Sequence, residues 1–300
     1  MIWRDVLWGI AAPAVLAGVF FGGWGWLLKR VLKADAVSSF TTAAPLGLGL
    51  PVLLAFGVLI GWPEYPPRDT LQRFFYLVSI ATVLGVAESS LRGTRAFRQI
   101  QALFFASATL VPLLILWSQL SFKSTEATNS SQSWYWVFGV GLGVAVLTVL
   151  TDLLARKTPG AQYPACWWLI TAGTAGALMI SASAKGFQLA GALAAALGAA
   201  VVAGLLWKAN FTLSLGASRV YVFALTGLLL FGNQFAKLPT TSAILLAVAP
   251  LFAGVGELKF VKQRKPWVVT LIRLVSCAVP VGIAVLLALK ANPIEEDPYA

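Results

Sequence analysis

The chain has 300 residues, of which 59% are hydrophobic and only 11% charged, and its mean hydropathy is +0.82. Soluble domains run at roughly 45–50% apolar and about 25% charged, so a water-soluble core is excluded and lipid must take up the surplus apolar surface. The net charge of +11 is spread between apolar runs rather than gathered in one patch, which excludes a nucleic-acid footprint and points to membrane topology.

A transmembrane helix needs about 20 mostly apolar residues. The first such run spans about Leu7 to Leu28, too long and too Trp-rich for a signal peptide, and is expected to be a retained first helix. The second, about Ala43 to Trp62, carries LGLGLP, whose glycines and Pro51 are tolerated where neighbouring helices repack the backbone. The Pro-rich link WPEYPPRD leads to a third run, about Phe74 to Leu91, closed by Glu88 and the basic residues Arg92, Arg95 and Arg98. The fourth, about Ala102 to Leu120, precedes SFKSTEATNSSQS, expected to be a flexible loop. The fifth, Trp134 to Leu154, ends at Asp152, Arg156 and Lys157.

A sixth run from Pro164 to about Ala184 turns at Lys185-Gly186 into a seventh, Phe187 to Trp207. The small residues of the seventh, at spacing four, predict a central place in the bundle. The eighth, about Val220 to Phe231, is the weakest of the set. Thr241 to Leu289 forms a hairpin of two long apolar runs around the basic turn KFVKQRKP. The expectation is an all-α, polytopic membrane protein of about ten helices in one transmembrane domain, 1-300, with a short acidic tail at 291–300.

Fourteen basic residues fall in alternate connections: Lys29, Arg30, Lys33, Arg92, Arg95, Arg98, Arg156, Lys157, Lys208, Arg219, Lys259, Lys262, Arg264 and Lys265. The other connections and the termini hold Arg4, Arg68, Arg73, Lys123, Lys185, Lys237 and Lys290. Short cytoplasmic loops carry the excess of Lys and Arg, so this bias predicts both termini outside the cytoplasm, in the plasma (inner) membrane. Trp3, Trp8, Trp62, Tyr65, Trp134, Tyr135, Trp136, Trp207 and Trp267 stand near run ends as interfacial anchors.

Histidine is absent, which excludes His-ligated haem, His-containing metal sites and Ser–His or Cys–His catalysis in this chain. Cys166 and Cys277 lie inside apolar segments and read as small buried hydrophobes rather than a disulfide framework or zinc site. No cofactor or metal is expected. So few acids leave little acid/base machinery, and the chain is not expected to be an enzyme.

Ionisable groups in or beside membrane helices are the default candidates for function. Glu88, Asp152 and Glu257 each close an odd-numbered run, and each precedes a base: Arg92, Arg156, and Lys259 with Lys262. Such acid-before-base pairs stabilise helix ends, with proton or substrate coupling as the alternative. Arg273 lies about 10 Å into the last run. It is expected to snorkel to the headgroups, or else to face an anionic solute or pair with Glu257. Gln188, Asn233, Gln234, Ser181 and Ser183 are candidate cavity linings or interhelical hydrogen-bonders. Gly85-Val86-Ala87-Glu88 and Gly254-Val255-Gly256-Glu257 look alike, which reads as chance in a Gly- and Val-rich chain or else as a trace of internal duplication. Both close odd-numbered runs and so do not fit a five-plus-five inverted repeat. Asn129-Ser130-Ser131 and Asn210-Phe211-Thr212 fit the glycosylation pattern on opposite sides of the membrane, so at least one match is accidental.

Ala249-Pro250-Leu251-Phe252-Ala253, leading to Gly256-Glu257 and a final helix, resembles the closing hairpin of the drug/metabolite transporter superfamily, including EamA-type exporters. The likeness covers residues 240–289. It implies alternating-access transport of a small metabolite through a cavity between two halves, with Pro250 and Glu257 matching only as structural positions. Two features depart from that family: GVAE closes the third run rather than the fourth, and the basic bias places the termini outside. The expected function is a small-solute or metabolite transporter, with Arg273, Glu257, Glu88 and Asp152 as candidate substrate or coupling residues. The alternative is a non-catalytic membrane subunit that assembles with partner membrane proteins or with copies of itself.

Overall fold

The computed structural model describes residues 7–24, 27, 30, 36–67, 69–92, 94–122 and 130–293. Trp3, Arg4, Lys29, Lys33, Arg68, Lys123, Asn129 and the tail from 294 on lie outside the described residues, as do the side chains of Trp134 and Trp136.

The structure is all-helical apart from its connections, with no strand among the described residues. Helix α1 combines π-helical Leu7–Ala11, α-helical Ala12–Gly18 and π-helical Val19–Trp24. It is followed by α2 (Ala36–Leu59), α3 (Thr70–Ser90), α4 (Ala96–Phe122) and α5 (Ser130–Lys157). Then come α6 (Gln162–Ile180), α7 (Ala184–Trp207) and α8 (Gly216–Phe235). Helix α9 (Thr240–Phe252) is continued by a 3-10 segment, Ala253–Glu257, and a single turn at Lys259–Lys262 leads into α10 (Pro266–Ala291).

Among the described residues, seven helices (α2, α3, α4, α5, α7, α10 and α9 with its 3-10 extension) are long and apolar enough to cross a membrane. Helix α1 is apolar but shorter. Pro45, Pro51, Pro112, Pro250 and Pro280 sit inside these helices, as membrane helices allow when neighbours and water re-satisfy the freed carbonyls.

The eighth run, weakest in the sequence, is the axis of the bundle. Every residue of α8 from Gly216 through Leu229 is buried, and α2, α3, α4, α5, α7 and α9 all pack against it. A stretch covered on all sides by protein does not need the hydropathy of a lipid-facing one, so Arg219 is tolerated in it, whereas Asn233 and Gln234 lie beyond the enclosed stretch, half-buried and exposed. The expected central role of α7 is therefore shared: α7 packs on α1, α2 and α6, but α8 is the more enclosed.

Close approach sets where α8 begins. A Cβ added to Gly216 would stand 2.0 Å from the carbonyl oxygen of Gly85 on α3, so only glycine permits this crossing. The turn expected at Lys185-Gly186 lies earlier in the chain. Ala182 takes a left-handed φ of 60°, and Ser183 caps α7 by accepting from the Gly186 N–H at 3.2 Å.

Candidate functional site

Four of the sequence-derived candidates gather in two clusters at one end of the bundle, joined through the C-terminal end of α5. The first is built where α8 starts. Residues Phe211, Leu213, Ser214 and Leu215 run to it as a buried, non-helical segment. Irregular backbone at such depth survives only if its polar groups find partners in the protein. Thr212 donates through Oγ1 to the Ala155 carbonyl at 3.2 Å, and the Gly160 N–H donates to the Phe211 carbonyl at 2.8 Å.

Leu215 then adopts φ 62°, ψ −133°, a conformation strained for a bulky residue. Its N–H donates to Oδ1 of Asp152 on α5, and Ser218 Oγ donates to the same oxygen at 3.1 Å. Asp152 thus serves as the N-cap of a helix to which it does not belong, where a negative charge also complements the helix dipole. Its other oxygen holds Arg156 at 2.6 Å, the i,i+4 pair expected from the sequence.

One turn inside α8, Arg219 is buried and its Nη2 donates to Glu88 Oε1 on α3, while its guanidinium lies 4.3 Å from the ring centroid of Phe104 on α4. This corrects two expectations. Arg219 is not an interfacial loop charge, and Glu88 pairs with Arg219 rather than with Arg92, which is exposed. The reason is depth: Glu88 is fully buried against α8, out of reach of a residue beyond the end of its own helix. Neither Glu88 Oε2 nor Arg219 Nε has a hydrogen-bond partner.

The second cluster closes the α9–α10 hairpin. Arg273 does not snorkel: it is buried, and it donates through Nη2 to Glu257 Oε1 and through Nη1 to Thr158 Oγ1, each at 2.6 Å. Gly256 makes this possible, since a Cβ there would lie 1.9 Å from the Arg273 Nε. Glu257 also takes Lys262 at 3.4 Å. Thr158 and Asp152 are six residues apart at the end of α5, about 9 Å of helical rise, so this one segment touches both clusters.

A third group was missed by sequence reasoning. Trp167 on α6 stacks on Tyr221 of α8 at 4.1 Å between ring centroids, with Tyr163 beside it at 5.0 Å. All three are buried, and none of their polar tips has a hydrogen-bond partner. Nothing in YPACWW or RVYVF marked them, because aromatic residues in apolar runs read as packing. Of the remaining candidates, Ser181 bonds back to its own helix at 2.8 Å, and Gln188 is half-buried. Asn233 and Gln234 face a lateral groove of about 750 Å³ between α5, α8 and α9. Arg273, Glu257, Glu88 and Asp152 do not line that groove. Cys166 and Cys277 are both buried and free.

Among the described residues, no group of His, Cys, Asp and Glu is arranged to hold a metal ion. No family model, curated protein or solved structure matches the chain.

Proposed function

We propose that this chain is a ten-span transporter of a small solute, in the plasma (inner) membrane with both termini outside, and that the start of α8 is its coupling element. The observation that supports this reading is the Glu88–Arg219 pair. Two opposite charges are enclosed by membrane helices, and each keeps one atom without a hydrogen bond. Desolvating an ion pair costs several kcal/mol per ion, and an apolar pair of similar volume is often as stable. Charges kept inside membrane helices generally mark ion or substrate pathways. Helix N-termini buried inside a bundle are also where transporters bind anionic groups.

In this reading Glu88 and an incoming anion compete for Arg219, and Asp152 reports the exchange to α8 through the Leu215 N–H. Arg273 and Glu257 hold the α9–α10 hairpin against α5 while α8 moves. The resemblance of residues 240–289 to the drug/metabolite transporters supports the same class, with α1, α6 and α8 crossing alongside the seven more apolar helices.

The reading is tested in proteoliposomes on a solid-supported membrane, with currents recorded for a panel of small organic anions, neutral metabolites and amines at two pH values. A current specific to one solute class, lost in Glu88→Gln and in Arg219→Lys, is the expected result. Silence across the panel from protein of defined topology, or a current indifferent to both substitutions, would overturn it.

One observation favours the second reading, a non-catalytic subunit. A groove of about 750 Å³ lies on the outer flank and is lined by neither Arg273 nor Glu257, as a seat for a neighbouring membrane protein would be. Co-purification of a stoichiometric partner, with no solute current from the assembly, would decide for it.

A further inference from the structure

The lateral groove has a polarity gradient that neither reading uses. Helix α8 forms its floor, and its walls are α5 and α9. The lining is apolar over most of its length, and its polar side chains, apart from Thr226, are collected at one end: Asn233, Gln234 and Thr240. Thr226 is satisfied within its own helix, at 2.6 Å from the Val222 carbonyl. At the polar end Asn233 Nδ2 donates to the Leu238 carbonyl at 2.9 Å and to Thr240 Oγ1 at 3.0 Å, and Gln234 Nε2 donates to Asn233 Oδ1 at 2.9 Å. These bonds join Asn233, Gln234 and Thr240 into one polar network at this end of the groove. The adjoining α8–α9 turn carries the exposed Lys237, and among the described residues no acidic residue lines the groove.

Length decides among occupants. From Val137 to Leu147 along α5 the wall rises about 15 Å at 1.5 Å per residue, which is half of a hydrocarbon core about 30 Å thick. A slot one leaflet deep, polar and cationic at the helix ends and apolar inward, has the shape and charge of a single lipid molecule. Two wall residues add to this. A Cβ at Gly139 or Gly143 would meet nothing within 4 Å, so packing within the chain does not require glycine at either position. Both keep the slot open.

We propose that this groove is a binding site for an anionic membrane phospholipid, with one acyl chain lying along Gly139 and Gly143 and the headgroup held at Gln234, Thr240 and Lys237. The site rests on neither functional reading above.

The test uses the full chain reconstituted in phosphatidylethanolamine vesicles with a trace of phosphatidylglycerol bearing a diazirine on its acyl chain. After photolysis, adducts are mapped by peptide mass spectrometry. Labelling is expected to concentrate on residues 139–147 and 243–251 over the outward face of α10 at Val275, Val279 and Ile283. Gly143→Leu fills the slot without a clash and should lower it roughly tenfold, the effect of losing contact with about two methylene groups. Lys237→Glu should lower labelling by the phosphatidylglycerol probe at least about fivefold, as removal of one basic residue near a lipid headgroup does, and leave a phosphatidylcholine probe unchanged. Equal labelling of all three outward faces would reduce the groove to ordinary lipid contact and overturn the proposal. So would an unaltered adduct pattern in Gly143→Leu accompanied by conversion of a dimer to a monomer, which would place a second copy of the chain in the groove.

Discussion

Glu88–Arg219 and Glu257–Arg273 are the same chemical pair in two settings. Glu257 and Arg273 belong to one hairpin, 16 residues apart, and each has a second partner, although Arg273 Nε, like Arg219 Nε, has none. Glu257 keeps 19% of its side chain exposed and takes Lys262 as a second partner, while Arg273 has Thr158 as well. Glu88 and Arg219 are 131 residues apart, on α3 and α8, and water reaches neither freely. The first pair is a clamp that the local fold delivers. The second exists only when α3 and α8 have met, so it reports the assembly of the whole bundle and is the one that charge removal or charge exchange will disturb most.

The largest effect should come from unbalancing the buried pair. Arg219→Ala leaves Glu88 without its counter-charge and is expected to destabilise the protein by about 3–5 kcal/mol, read as loss of monodisperse protein or a much lower unfolding temperature in detergent. Replacing both residues, Glu88→Leu with Arg219→Met, should restore most of that loss, because the desolvation cost leaves with the charges. If the double variant is as unstable as the single one, the pair is a packing element and the contrast with Glu257–Arg273 disappears.

Next in size is the crossing that brings the first pair together. Gly216→Ala sets a Cβ 2.0 Å from the Gly85 carbonyl oxygen, and overpacking of this kind costs about 1–3 kcal/mol. No comparable backbone crossing supports the hairpin pair, where the added Cβ at Gly256 would meet an arginine side chain instead. Thermal unfolding of Gly216→Ala beside Gly256→Ala measures that difference, with the larger drop expected in the first.

How much of this was legible in the sequence follows from the same separation. The apolar runs announced their helices, and the hairpin announced Glu257 with Arg273 as one of the open options, because a basic turn folds its flanking residues back on each other. Glu88 was assigned a neighbour four residues away, since nothing in a linear reading connects α3 to an arginine 131 positions on. Low hydropathy made α8 look like the least secure element, although protein rather than lipid surrounds it. The turn at Ala182 was misplaced because Lys185-Gly186 has turn chemistry, whereas Ser183 supplies a cap and lets the helix begin at Ala184.

Arg273→Ala should fall below both earlier substitutions. It removes two charge-assisted hydrogen bonds, each typically worth about 1.5–3 kcal/mol when fully desolvated, but Glu257 retains Lys262 and partial access to solvent, so a net loss of about 1–2 kcal/mol is expected. The paired measurement is Lys262→Ala. Its side chain is 70% exposed and its contact with Glu257 is 3.4 Å long, and exposed pairs of this sort contribute roughly 0–1 kcal/mol. Alone, Lys262→Ala should leave the unfolding temperature nearly unchanged. Combined with Arg273→Ala, it strips Glu257 of its second partner, and the double variant should lose more than the sum of the two. Strict additivity would mean that Lys262 never compensates for Arg273, and the hairpin clamp would then be as brittle as the pair at the start of α8.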